Sequence, residues 1–147
     1  MDRYGYNSEG YPDPTATEAI AKADKTNKAE KKYLPLVYVC SKYSGDTAAN
    51  TEAARHYCRF AVDAGAIPLA PHLLFPQFMS DETERELAMF MNGVLLDKCD
   101  EMWVFGSETS EGMKAEIAHA KRHRKKIKYF DGNCQRASKD LDIGPEE

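Results

Sequence analysis

The chain has 147 residues and a net charge of −4, from 20 basic and 24 acidic side chains. That length suits one domain with a core of ordinary size, and the acidic balance speaks against a general nucleic-acid binder, which needs a surplus of Lys and Arg. No apolar run approaches the roughly 20 residues that cross a bilayer, and Met1-Asp2-Arg3-Tyr4-Gly5 opens no signal-peptide apolar segment, so a cytoplasmic protein without membrane partners is expected.

Residues 1–33 read as a polar arm. Tyr4, Tyr6 and Tyr11 are scattered among Gly, Ser, Asn and Pro. Asp13-Pro14-Thr15 has the form of a helix start, with Asp as cap and Pro at the first helical position. Ala16 to Lys32 is helix-prone but polar, with Ala16, Ile20 and Ala23 as a thin apolar stripe. Two readings stay open: a solvated arm, or one that docks its tyrosines on its own or a neighbouring subunit.

The folded domain spans 34–131. Leu36-Val37-Tyr38-Val39-Cys40 is a continuous apolar strand, as expected for one buried on both faces. Ser41 to Asp46 is a polar loop. Ala53, Tyr57, Phe60, Ala61 and Ala64 then recur at helical spacing until Gly65. Ala66 to Ala70 reads as a second strand, whose Pro68 hints at an edge. Pro71 to Ser80 reads as an aromatic loop. A helix is expected from about Asp81, with Leu87, Phe90, Met91, Val94 and Leu95 as its buried face. Glu101 to Phe105 is the third strand, and Lys126 to Phe130 the fourth. Between them runs the helix that carries Glu116. Residues 132–147 form a polar tail without periodicity. Strands alternating with helices imply βαβ units and right-handed crossovers. The expected fold class is α/β: a small Rossmann-like (flavodoxin-like) sheet of four to five parallel strands flanked by helices.

Cys40, Cys58, Cys99 and Cys134 form no C-x-x-C pair, and their gaps suit neither zinc nor a disulfide framework. The first three lie in apolar patterns and read as buried thiols. The loop Ser41-Lys42-Tyr43-Ser44-Gly45-Asp46 is neither G-x-G-x-x-G nor a P-loop, so hydride and phosphoryl transfer lose their usual support. No cofactor and no metal site is expected. Lys121-Arg122-His123-Arg124-Lys125-Lys126 reads as cations complementing a helix C-terminus.

Ligands of open parallel sheets bind at the carboxyl ends of the strands. Three loops converge there. They bring Tyr43, Ser44, Gly45 and Asp46; His72, Phe75 and Phe78; and Gly106, Ser107, Ser110, Gly112 and Met113, with Glu116 beneath. Gly112 stands four residues before Glu116 and hence on the same helix face, leaving space over the carboxylate. A mostly apolar pocket with a few polar groups suits a small molecule. A lone carboxylate in it suits glycosyl transfer through a covalent intermediate.

Pro71-His72-Leu73-Leu74-Phe75, Cys99 to Gly106 and Glu111-Gly112-Met113-Lys114-Ala115-Glu116-Ile117 resemble the nucleoside 2-deoxyribosyltransferase-like superfamily. More closely, they are similar to its bacterial and phage branch of DUF4406/DUF7768 type. The resemblance covers about residues 34–130. It implies that Glu116, in the shared Gly-x-x-x-Glu-Ile pattern, is the nucleophile at the sugar C1′. It implies that Tyr43 through Asp46 hold the sugar or its phosphate. A second carboxylate is expected about two helical turns before the third strand. Asn92 stands there instead, and Asn cannot transfer a proton as a general acid does; Asp81 and Asp97 are the alternatives, neither in the matching place. The expected ligand is a nucleoside or nucleotide. The resemblance further implies a homodimer or higher oligomer, using the apolar loop Phe75-Pro76-Gln77-Phe78-Met79 or the second helix. Two functions follow: an enzyme of the N-glycosidic bond, or a non-catalytic module that binds a nucleotide or nucleotide signal, which Asn92 favours.

Overall fold

The computed structural model of the protein describes residues 16–22 and 33–137. The chain divides into two units, Met1–Leu34 and Pro35–Glu147. In the first, residues 16–22 form a helix, α1, exposed along its whole length, Ile20 included. The tyrosines at 4, 6 and 11, the helix start at 13–15 and the stripe position Ala23 lie outside the described residues.

The second unit runs β1 (Leu36–Cys40), α2 (Thr47–Asp63), β2 (Ile67–Leu69), α3 (Pro71–Leu74), a 3-10 turn (Phe75–Gln77), α4 (Arg85–Lys98), β3 (Glu101–Phe105), α5 (Glu111–Arg122), β4 (Lys126–Phe130) and β5 (Arg136–Ala137). The strands form one sheet in the order β2-β1-β3-β4-β5. The first four are mutually parallel, with Val37 opposite Glu101 and Met102 opposite Ile127. This is the doubly wound order that reverses direction between β1 and β3, where ligands bind.

The period of two along each strand builds two cores. Tyr38, Cys40, Met102, Val104 and Tyr129 face one side, against Leu96 of α4 and Met113, Ile117 and Ala120 of α5. Val37, Val39, Trp103, Phe105 and Phe130 face the other, against Tyr57 and Ala61 of α2. Aromatic rings fill that second core. Tyr57 stacks on Phe105 at 4.5 Å and Phe105 on Phe130 at 4.9 Å, with Phe60 edge-on to both phenylalanines. Each such ring buries on the order of 150–250 Å², so this face is held chiefly by aromatic burial.

The structure corrects the sequence-based expectation in several places. The fifth strand is antiparallel, so the sheet is mixed and not wholly parallel. The cause is the turn at Asp131, whose Oδ1 accepts from Asn133 N and Gln135 N. A connection that short can only return the chain antiparallel; a parallel strand needs a long crossover. The tail after 131 therefore holds a short strand. The aromatic segment 71–80 contains α3 and the 3-10 turn, not loop alone. α4 starts at Arg85, four residues later than expected, because Ser80 to Glu84 is a turn in which Glu84 Oε1 accepts from Ser80 N. The face of α4 also differs. Leu87, Phe90 and Val94 are exposed, while Leu96 is fully buried. Cys58 is half-buried rather than buried. Among the described residues no helix is long and apolar enough to cross a membrane.

The face assignment is testable in urea at low protein concentration. Leu96→Ala, which empties a fully buried site, should cost about 2–5 kcal/mol. Phe90→Ala should stay within about 0.5 kcal/mol, as for a surface position. Equal costs at both would return the stripe of Leu87, Phe90 and Val94 to the core.

Candidate functional site

A cleft of about 110 Å³ opens between α4, α5 and the segments that follow β1 and β2. Glu116 forms part of its lining. α5 opens on Ser110, whose Oγ accepts from Met113 N at 3.2 Å as an N-cap. Such a cap satisfies one of the helix's unpaired first-turn donors. Glu116 follows in the second turn, on the side of α5 that meets the sheet. Tyr38 and Cys40, alternate residues of β1, point to that same side. The Tyr38 hydroxyl donates to Glu116 Oε2 at 2.9 Å, and Cys40 Sγ to Oε1 at 3.4 Å. Asn92, from α4, donates through Nδ2 to Oε2 at 3.2 Å. Three donors from two further elements thus hold one half-buried carboxylate.

Burial raises the pKa of Glu116 above its ordinary 4.5, and the bonds from Tyr38, Cys40 and Asn92 oppose that rise by favouring the charged form. Burial, with the Glu116 charge beside it, pushes the Tyr38 hydroxyl far above its ordinary range, so it stays a donor. Asn92 Oδ1 is buried with no hydrogen-bond partner among the described residues. An unpaired buried acceptor costs about 1–3 kcal/mol, and this one sits beside the carboxylate.

On the opposite wall His72, from α3, lies 2.9 Å through Nε2 from Ser41 Oγ. Burial lowers its pKa to about 4, so it is neutral at physiological pH. The Tyr43 ring meets it edge-on at 6.3 Å. Asn50 of α2 fixes the first loop by donating to the carbonyls of Tyr43 and Ser44.

Of the residues singled out from sequence, Tyr43, Ser44, His72, Phe75, Asn92, Ser110, Gly112, Met113 and Glu116 line this one cleft. Gly45, Asp46, Gly106, Ser107 and the exposed Phe78 do not. Asp46 is the N-cap of α2, its carboxylate accepting from Ala49 N at 3.2 Å. Gly45 precedes it with φ +98°, a turn geometry that glycine allows. Gly106, with φ +108°, lines a neighbouring cavity with Asn50, Tyr57 and Ser107. Asp81 lines the cleft and pairs with Arg85, whereas Asp97 lies outside it. The space over Glu116 is not empty: Arg85 Nη2 comes 3.8 Å from where a Gly112 side chain would begin. Sequence reasoning missed Ser41, Arg85 and Met89 in the lining and Tyr38 and Cys40 as partners of Glu116. The alternation of β1 carried the signal for the last two, since Tyr38 and Cys40 share a face.

The two titratable groups of the cleft, His72 and Glu116, tilt stability in opposite directions. An unfolded chain protonates His72 below about 6.5, the folded one only near 4. The stability that neutral His72 contributes is therefore lost as pH falls through that window, by at most about 3 kcal/mol. Glu116 takes its proton more readily folded than unfolded, so its contribution is lost as pH rises above about 4.5. Melting curves across pH should show His72→Gln flattening the acid loss. Glu116→Gln should gain on the wild type as pH rises. Parallel curves for either variant would contradict the burial assigned here.

No curated protein matches the chain. The family model for a domain of unknown function, DUF7768, matches residues 35–130, the span that carries the sheet from β1 to β4, the cleft and Glu116. The chain belongs to the DUF7768 family.

Proposed function

We propose that this protein acts on the N-glycosidic bond of a nucleoside or nucleotide, with Glu116 as nucleophile, as its resemblance to the nucleoside 2-deoxyribosyltransferase-like superfamily implies. The observation that carries the reading is the half-buried Glu116 carboxylate, held by three donors at a cleft. A carboxylate fixed in one rotamer in a poorly solvated site loses little order on attack. Its charge also stabilises an oxocarbenium-like transition state more than it would in water. A Glu116 oxygen forms the bond to C1′ as the C–N bond breaks. The base leaves with the electron pair and takes up a proton. Water or a second base then displaces the glycosyl ester, giving hydrolysis or transfer. The aromatic rings of Tyr43 and Phe75 offer faces for the base, and the exposed apolar side chains of Leu74, Phe78, Leu87 and Phe90 are candidates for contact with a second copy of the chain.

The second reading, a nucleotide-binding module without turnover, is favoured by Asn92. Its amide stands 3.2 Å from Glu116, where a proton-donating acid would help the base leave. Its bare Oδ1 suits a ligand O–H or N–H instead. Asp81 is the carboxylate of the cleft lining left for the acid role.

Incubation with a panel of ribo- and deoxyribonucleosides and their monophosphates, followed by chromatography for free base, separates the two. For the enzyme, base is released. Glu116→Gln lowers the rate by about three orders of magnitude or more while ligand affinity stays within about tenfold. Asn92→Asp should raise a weak activity. For the binder, no base appears and Glu116→Gln weakens binding. Turnover undiminished in Glu116→Gln would rule out the mechanism.

A further inference from the structure

At the end of α5 away from Ser110, His119 and His123 stand four residues apart and so share a helix face. α4 brings Asp97 to them. His119 Nε2 lies 2.8 Å, and His123 Nδ1 2.7 Å, from the same Asp97 Oδ1. The two rings are 4.2 Å apart at 37°. One potential ligand atom from each of the three residues falls within 4.8 Å of the others. None of the three lines the cleft.

Two imidazole nitrogens and one carboxylate oxygen are the donors of three-ligand zinc sites, which keep a fourth position for water. With bonds of about 2.0–2.2 Å, tetrahedral ligand atoms stand roughly 3.3 Å apart. The observed 2.7 and 2.8 Å spacings need to open by about half an ångström, well within rotamer adjustment of exposed side chains. Asp97 and His123 are exposed, which gives an ion access. Gly93 makes the arrangement fit: a Cβ there would come within 3.3 Å of the His119 ring. Lys125, the nearby cation, spends its ammonium on the backbone carbonyls of Asp97 and Cys99, at 2.8 Å each, and so leaves the carboxylate to the imidazoles.

We propose that Asp97, His119 and His123 form a binding site for a divalent cation of the zinc class. The ion joins α4 to α5. Asp97 follows Asn92 by five residues and His119 follows Glu116 by three, so the ion pins the two helices whose side chains meet in the cleft. The site stands independently of the glycosidic reading, because none of its residues takes part in that chemistry.

The test uses the full chain, freed of any histidine tag and of metal, titrated with zinc chloride against a chromophoric chelator. One equivalent should bind, and zinc should raise the melting temperature. Loss of supporting groups around metal ligands costs roughly 10–100-fold in affinity, so D97N and H123Q, both at exposed positions, should each weaken binding at least about tenfold. Neither variant should show the rise in melting temperature. Replacing the two partly exposed cysteines (C58S with C134S) should leave the zinc equivalent in place. No binding at sub-millimolar zinc overturns the site. So does an equivalent that keeps wild-type affinity in both D97N and H123Q, or one that vanishes in the cysteine variant.

Discussion

The carboxyl group of Glu116 has to be accommodated at a half-buried position, and much of the local architecture answers to that need. An isolated carboxylate taken out of water is costly unless hydrogen bonds replace its hydration. Here the replacements come from a strand and a neighbouring helix: Tyr38 and Cys40 of β1, and Asn92 of α4. Together they tie the carboxylate to two parts of the fold, the strand β1 and the helix α4. β1 is an inner strand of the parallel set, hydrogen-bonded on both sides to β2 and β3. The position of Glu116 is thus inherited from the sheet, and α5 must keep its angle for the bonds to survive.

Asn92 gives this arrangement its asymmetry. Its Nδ2 serves Glu116 while its Oδ1 stays bare. Nδ2 and Oδ1 have nearly the same shape, and only the hydrogen-bond network distinguishes them. With the Tyr38 hydroxyl on the same oxygen, Glu116 Oε2 already has two donors, and turning the amide over would set two acceptors against each other. The carboxylate therefore dictates which end of Asn92 is left unpaired. A carboxyl group at position 92 would instead place two acids within one hydrogen bond of each other, and one of them would hold a proton.

The parts of this structure that sequence reveals are those where one residue pattern has one physical outcome. β1 and β3 are apolar runs buried on both faces, and their order with intervening helices leaves few topologies. Glu116 stands out because glycine precedes it by one helical turn. The face of α4 was not legible in that way. Leu87, Phe90 and Val94 recur at helical spacing, but periodicity states only that a face is apolar, not what covers it. β5 is two residues long, too short to leave a pattern, although Asp131-Gly132-Asn133 reads as a turn. Arg85 was missed because a cation in an exposed first turn looks like ordinary solvated surface. Asp97, His119 and His123 come from two helices separated in sequence, and only tertiary packing brings them together.

The two edges of the sheet carry a consequence for how copies of this chain can meet. β2 has three residues and a proline at its centre, and β5 has two residues. A proline has no N–H to offer to an added strand, and edges this short give an incoming chain almost no ladder to extend. Among the described residues, the sheet therefore offers little purchase for growth by strand addition. Contact between copies is left to side chains on helices, where shape and register must match and runaway polymerisation has no template.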